Sequence, residues 1–430
     1  MSVFTYQIQN VLSHAYLNTN DTTNTMKHKA LLFFYFLLGF CFSFPSIAMR
    51  YWMMEWVTPA QMAAIFGITS VPWCLKPLYG FISDSYPLFG YRRRPYMILG
   101  GYLSSVMWIL LPFCPRDEFV VTFVMTMSSM GLCLADVMAD SLLVEIARAE
   151  STDEKGTVQS YSWMFRFAGG LTASIFGAIA YDNLGAVKVF HLNSIIPIGI
   201  AVSATFMDGS RQIQSVHWRD TARKLGSVVR KSAVYRPALF LFLICAMPGY
   251  GSVLTFFYER QLGFTPDKFG TLDVLGHVVA IVGTFIYKKY LRNVSFRRIF
   301  GVALFLSFVL ENSLLLLVLH TNRSMGIPDF VFALIERIVI TLVGQFITMP
   351  MVVLGARLCP VGVEGTLYAL LMSITNIGGV VSAEWGSLLT TMFGVSSNNF
   401  SNLWKLMLLC HCFDLIPLFS LKLVRDVTPE

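Results

Sequence analysis

"DGSRQIQSVHWRDTARKLGSVVRKSAVYR", Asp208 to Arg236, is the one extended polar stretch in a chain of 430 residues that is 55% hydrophobic and only 13% charged. Soluble globular domains carry about 25% charged residues. An oily chain with a single polar break reads as a membrane protein, and the break as a boundary. On both sides of it, apolar runs recur that are long enough to cross a hydrocarbon layer of roughly 30 Å as helices. They fall at 29–49, 59–83, 95–113, 119–147, 157–181, 187–207, 236–258, 267–288, 298–319, 328–357, 364–392 and 399–423. Six precede the polar stretch and six follow it. The expected fold is therefore an all-α membrane protein with twelve transmembrane helices in two six-helix halves.

The expected organisation is an N-terminal tail (1–28), a first half (29–207), a basic linker (208–235), a second half (236–423) and a C-terminal tail (424–430). The first residues are too polar for a cleaved signal peptide, so the first span is expected to stay in the mature protein. The loop cations collect on one side: Arg92, Arg93, Arg94, Lys155, the linker, Lys288, Lys289, Arg292, Arg297, Arg298 and Arg357. The opposite loops hold single cations beside acids, as in Arg116-Asp117-Glu118 and Glu259-Arg260. Positive loops stay in the cytosol, which places both termini there and makes the plasma membrane the default location. The net charge of +7 thus sets orientation; nucleic-acid binding is not expected. Eight cysteines lie singly or as Cys410 and Cys412, without metal spacing, and read as packing residues. Neither metal nor cofactor is expected, and a single copy of the chain is expected to function.

Internal repetition supports two related halves. The fifth span carries small residues four apart at Gly169, Ala173 and Gly177, and the eleventh carries Gly378, Ser382 and Gly386. Such stripes let helices approach closely. "GFISDSYPLFGYRRRPYMILGG" (80–101), between spans 2 and 3, and "GTFIYKKYLRNVSFRR" (283–298), between spans 8 and 9, both pair a glycine with a later basic run; only the first has an aspartate before its arginines. Two six-span halves joined by a basic linker are the major-facilitator architecture, whose substrate site lies near the midplane between the halves.

An ionisable group inside a membrane is costly unless paired or hydrated, and marks function. In "GLCLADVMADSLLVEIAR" (131–148), Asp136 and Asp140 share one helical face. Two carboxylates so placed repel unless one is protonated or a cation lies near. "QSYSWMFRFAGG" (159–170) brings Arg166 to similar depth across the hairpin. One reading is an ion pair holding that hairpin. The other has Arg166 engage a substrate anion while an aspartate takes the proton, since guanidinium grips carboxylate in bidentate fashion. Trp73 and Lys76 in "WCLKP", and Trp163 and Phe165 in "YSWMF", set rings near charges, as packing or as a surface for a planar ligand. Glu145 and Arg148 form an i,i+3 pair near the cytosolic end. In the second half Glu336-Arg337 and Glu384 lie within spans, and Asp273 with His277 on span 8 is either a packing pair or a proton relay. No phosphate loop or hydrolase motif occurs, so neither ATP-driven pumping nor an enzyme is expected.

"KPLYGFISDSYPLFGYRRRPY" (76–96), "ADVMADSLLVEIARAE" (135–150), "QSYSWMFRFAGG" and "CPVGVEGTLYALLMSITNIGG" (359–379) together resemble the folate-biopterin transporter family of the major facilitator superfamily. The resemblance implies a transporter of folates, pterins or, in some members, S-adenosylmethionine. Its motifs fall on Lys76, Pro77, Gly80, Asp84, Pro87, Gly90, Arg92, Arg93, Arg94 and Pro95; on Asp136, Asp140, Glu145, Arg148, Gln159, Trp163 and Arg166; and on Pro360, Glu364, Gly365, Thr366, Tyr368, Ala369, Asn376 and Gly378. It implies substrate binding or charge coupling at Asp136, Asp140, Trp163, Arg166, Tyr368 and Asn376. Gating is expected from Lys76, Gly80, Asp84, Arg92, Arg93, Arg94, Glu145 and Arg148, with Asp84 as a latch against the arginines.

Overall fold

A computed structural model of the chain describes residues 22–148, 157–207, 230–291, 293–357 and 364–424. Most of the linker, Lys155, Arg292, Pro360 and both ends of the chain lie outside these residues. The side chains of Asp84, Glu145, Arg148, Gln159, Arg357, Glu364 and Thr366 are likewise outside the description. Among the described residues the structure is helical, with one isolated bridge, Leu88 to Tyr91, in the turn before Arg94.

The helices are α1 (Thr22–Ser43), α2 (Ser46–Met54), α3 (Pro59–Thr69), α4 (Val71–Cys74), α5 (Lys76–Ser85), α6 (Arg94–Leu110), α7 (Glu118–Arg148), α8 (Thr157–Ala204), α9 (Ser232–Cys245), α10 (Gly251–Arg260), α11 (Pro266–Ile286), α12 (Phe296–Val318), α13 (Asp329–Arg357), α14 (Glu364–Met392), α15 (Leu403–Phe413) and α16 (Leu415–Phe419). Among the described residues ten stretches are long and apolar enough to cross a membrane, against an expectation of twelve. The chain is a multi-pass integral membrane protein.

Two local features separate the two counts. The stretch Tyr161–Ala204 counts as one helix of 44 residues, yet Gly185 within it has φ 77° and ψ 168°, outside the helical region. Its two limbs turn back on one another, because Gly169 faces the carbonyl of Phe36 and Gly199 faces Leu37, neighbours on α1. The second feature is a break. Where one seventh span was expected, α9 and α10 are short helices separated by Ala246 to Tyr250, with Pro248 supplying no backbone donor. The Gly249 N–H is satisfied instead by the Ser382 carbonyl on α14, at 3.2 Å.

The small-residue stripes do what their spacing predicts. A Cβ at Gly169 would lie 2.0 Å from the Phe36 carbonyl oxygen, and one at Gly177 2.6 Å from that of Phe44, with Ala173 fully buried between them. In the second stripe a Cβ at Gly386 would lie 1.9 Å from the Gly249 carbonyl oxygen, and one at Gly378 2.7 Å from Cys245 Cβ. So α8 seats on α1 and α14 seats on the broken α9–α10 pair through backbone-to-backbone contact, the packing mode that lipid surroundings favour. Buried Phe34, Leu38, Met97, Cys133 and Ile200 fill the space among α1, α6, α7 and α8.

The first and second parts of the chain meet along two seams. Gly270 of α11 lies on Ala178, and His277 on Gly170; α14 lies on α3, where Gly67 meets Ala383 and Glu384. A cavity of about 520 Å3 opens beside the second seam.

Candidate functional site

Two prolines shape the approach to the site. Pro72 and Pro77 stand in the first turns of α4 and α5, and Leu75 between them leaves the helical region at φ −97°, ψ 10°. The break rotates Lys76 inward. Its Nζ lies 2.5 Å from Asp136 Oδ2 and 3.2 Å from Asp140 Oδ2. The sequence reading placed Lys76 inside the second span, among gating residues; here it is the nearest cation to both aspartates and is 8% exposed.

Arg166 completes the cluster at a longer reach, its Nη1 3.6 Å from Asp136 Oδ1. Tyr35 donates its hydroxyl to Asp140 Oδ1 at 2.8 Å. Asp136 is sealed, its side chain 1% exposed, whereas that of Asp140 is 35% exposed. Two carboxylates and two cations balance in charge, so the low dielectric strengthens their attraction without leaving a bare ion.

Aromatic faces surround the cations. The Arg166 guanidinium lies 5.4 Å from the Trp163 ring centroid and 5.6 Å from that of Phe42; Lys76 Nζ lies 5.1 Å from the Trp73 ring. Phe42 and Trp73 meet at 5.6 Å, and Trp73 Nε1 donates to Ser129 at 2.9 Å. Of the two cations, Arg166 reaches the cavity, which is lined on one side by Phe42, Phe66, Gly67, Ser70 and Trp73 and on the other by Thr375, Asn376, Gly379 and Ala383. Asn376 donates to the Trp73 carbonyl at 2.9 Å, tying α14 to α4 beside the cavity. The cavity thus joins a guanidinium, three aromatic rings and neutral polar groups, a set that suits a flat anionic molecule.

The other sequence candidates fall elsewhere. Tyr368 lies two turns from Asn376 along α14, its ring 3.7 Å from where a Cβ on Gly355 would be, and it does not line the cavity. Gly80 faces open space, with nothing within 4 Å of a Cβ built there. Arg92 and Arg93 follow a tight turn in which Phe89 and Gly90 both have positive φ, and Arg94 opens α6 with its guanidinium 6.0 Å from the Tyr91 ring. Asp84 lies in the last turn of α5, but the latch expected of its side chain lies outside the described residues.

The proposed relay between Asp273 and His277 is not the contact formed. The His277 ring meets the backbone carbonyl of Asp273 at 2.8 Å and Ser43 at 3.4 Å. The Asp273 carboxylate goes instead to Arg50 at 3.2 Å and Arg337 at 3.8 Å. Arg50 was not a candidate because it falls one residue past the predicted first span. Around it, Tyr51 donates to the Phe264 carbonyl at 2.7 Å and Arg260 to that of Met54 at 3.3 Å. This face of the protein is therefore clasped by contacts between α2 and the α10–α11 region. Removing one ion should loosen it: Arg50→Gln is expected to raise severalfold the labelling, by a water-soluble thiol reagent, of a cysteine introduced at Ser43 in a background lacking reactive native cysteines. Unchanged labelling would show that Arg50 does not hold this face closed.

Sequence reasoning missed Phe42, Phe66, Gly67, Ser70, Thr375, Gly379 and Ala383 of the cavity wall. Only Gly379, the second of the Gly378-Gly379 pair, carried a local signal.

A model of the BT1 family matches residues 39–429 of the chain. The folate-biopterin transporter of Synechocystis sp. is 34% identical over 407 residues, covering 93% of this chain and 82% of that protein. The probable folate-biopterin transporter 2 of Arabidopsis thaliana is 30% identical over 398 residues, covering 89% and 79%. Among solved structures, the nucleoside transporter NupG superposes with a TM-score of 0.71 at 10% identity, over 92% of this chain and 98% of that one. The fold is that of major-facilitator-type transporters, and the chain belongs to the BT1 family.

Proposed function

We propose that the protein is a secondary transporter of folates or related pterins, working by alternating access of two halves, 29–207 and 236–423, about the cavity. The observation that supports this most directly is the placement of Arg166. It lies at 3.6 Å from Asp136, at the long end of ion-pair distance, and lines the cavity between aromatic rings. A guanidinium so held is free to turn to a substrate carboxylate, while Lys76 keeps Asp136 compensated. Asp140, the more exposed carboxylate, is the group placed to take a proton when the cation balance shifts, which would couple uptake to a proton. The positive loops support a cytosolic placement of both termini, and the plasma membrane is the proposed location.

Uptake of labelled folate into cells or liposomes tests this. Arg166→Ala, at wild-type level in the membrane, is expected to lower uptake at least about tenfold, one lost charge-assisted hydrogen bond being worth roughly 1.5–3 kcal/mol. Full uptake by that variant would remove Arg166 from the site. The exposed edge of Asp140 favours one rival cargo, the cationic S-adenosylmethionine; if that compound and not folate competes with the labelled substrate, the rival holds.

A further inference from the structure

We infer that Glu384 is the acceptor for the hydrogen-bond donor edge of a flat heterocycle bound in the cavity, and so selects what the transporter carries. The inference rests on the folate or pterin reading of the site and adds to it the group that recognises the ring.

Glu384 follows Ala383, a residue of the cavity wall, and its carboxylate is laid against Gly67, another. The approach is close: a Cβ on Gly67 would lie 2.6 Å from Glu384 Oε1. Glycine inside a helix costs roughly 1 kcal/mol relative to alanine, and Gly67 stands within α3. Its missing side chain leaves room for the carboxylate.

One oxygen of that carboxylate is without a partner. Glu384 Oε1 is shut off from solvent and has no hydrogen-bond partner among the described residues. Four cations of the described helices are engaged elsewhere: Lys76 and Arg166 with Asp136 and Asp140, Arg50 and Arg337 with Asp273. A carboxylate oxygen sealed at membrane depth without a donor is unfavourable in the ionised group. It is compensated when a ligand brings donors to it.

The cavity wall therefore has two unlike charged groups to offer. Arg166 lines it and brings donors, and Glu384, just outside the lining, stands behind Gly67 as an acceptor that a turn of its side chain brings to a ligand; Phe42, Phe66 and Trp73 line the wall. A 2-amino-4-oxopteridine fits this polarity. Its ring N–H and adjacent amino group point the same way and match a carboxylate's two oxygens as a guanidinium does. The carboxylates of a folate tail then fall to Arg166. A ring without that donor pair would leave Glu384 unpaired, and sites built to hydrogen-bond a ligand discriminate strongly against analogues lacking the group.

The test measures inhibition of labelled folate uptake by two fragments, pterin for the ring and p-aminobenzoylglutamate for the tail, in cells expressing the full chain. Glu384→Gln is expected to raise the pterin concentration for half-inhibition about tenfold or more and to leave that of the tail fragment unchanged. Gly67→Ala, which keeps the carboxylate but displaces it, should shift the same fragment in the same direction. Equal weakening of both fragments, no change in either, or an effect confined to the pH dependence of uptake would each overturn the inference. A wild-type protein that takes up neither labelled folate nor labelled biopterin would overturn the transport reading and this inference with it; selective failure of the variants sinks the inference alone.

Discussion

Lys76→Met is expected to reduce uptake of labelled folate to below about 1% of the wild-type rate and to destabilise the protein by roughly 3–5 kcal/mol, the cost of stripping one partner from a buried ion pair. The reason lies in the charge balance. Lys76 is the nearest cation to both Asp136 and Asp140, at 2.5 and 3.2 Å, and Arg166 reaches only Asp136, at 3.6 Å. Without Lys76, two carboxylates on adjacent turns share one cation, and one of them must take a proton or draw in water. Arg166 is then pulled toward the aspartates and away from the cavity it lines.

A second substitution separates charge from shape. Lys76→Met with Asp140→Asn leaves one anion, Asp136, facing one cation, Arg166. The double variant should recover a large part of the lost thermal stability in detergent, giving a favourable coupling between the two positions. Its uptake should stay low, because the exposed carboxylate is gone. A Lys76→Met protein that transports normally, or a double variant no more stable than the single one, would refute this account of the cluster.

The site was half legible in the sequence, and the missing half has a physical explanation. Asp136 and Asp140 share a face because a helix repeats every 3.6 residues, and Arg166 could be placed beside them by counting from a hairpin turn. Lys76 could not. Its depth follows from the span 59–83, but its direction follows from Leu75 leaving the helical region between two prolines, and no period reports that rotation. Arg50 was passed over for a similar reason, since a charge at the end of an apolar run reads as an interfacial anchor until its partner on α11 is seen. The cavity wall was hidden because Phe66, Ser70 and Thr375 are ordinary residues in a membrane helix; only tertiary contact makes them neighbours.

For the fold, hydropathy located most spans and missed what happens inside one of them. It divided 157–181 from 187–207, and the non-helical Gly185 lies in the gap between these two. The break at Ala246–Tyr250 interrupts a run that is apolar throughout. By contrast, the glycine stripes were informative: spacing of four identified the faces that seat on α1 and on the α9–α10 pair.

That seating gives the second large effect. Gly39→Ala is expected to destabilise the protein by about 3 kcal/mol or more, at or above the upper end of ordinary overpacking. A Cβ at Gly39 would lie 1.9 Å from the Arg166 carbonyl oxygen, and 2.8 and 3.1 Å from that residue's carbonyl carbon and Cα. A carbon and a carbonyl oxygen approach comfortably at about 3.3–3.6 Å, so α1 and α8 would have to part by more than an ångström. The obstacle is backbone, with no rotamer to relieve it. The reciprocal contact of Gly169 with the Phe36 carbonyl, at 2.0 Å from a built Cβ, would be lost along with it. Parting the helices forfeits the dispersion contacts of the whole interface and moves the backbone that carries Arg166 away from Asp136. Folate uptake should therefore fall together with the unfolding temperature. Gly80→Ala is the control, since it also adds a methyl to a helical glycine but meets nothing within 4 Å; it should be neutral or slightly stabilising, by up to about 1 kcal/mol. If Gly39→Ala unfolds at the wild-type temperature, the close backbone contact between α1 and α8 is not what holds Arg166 in place.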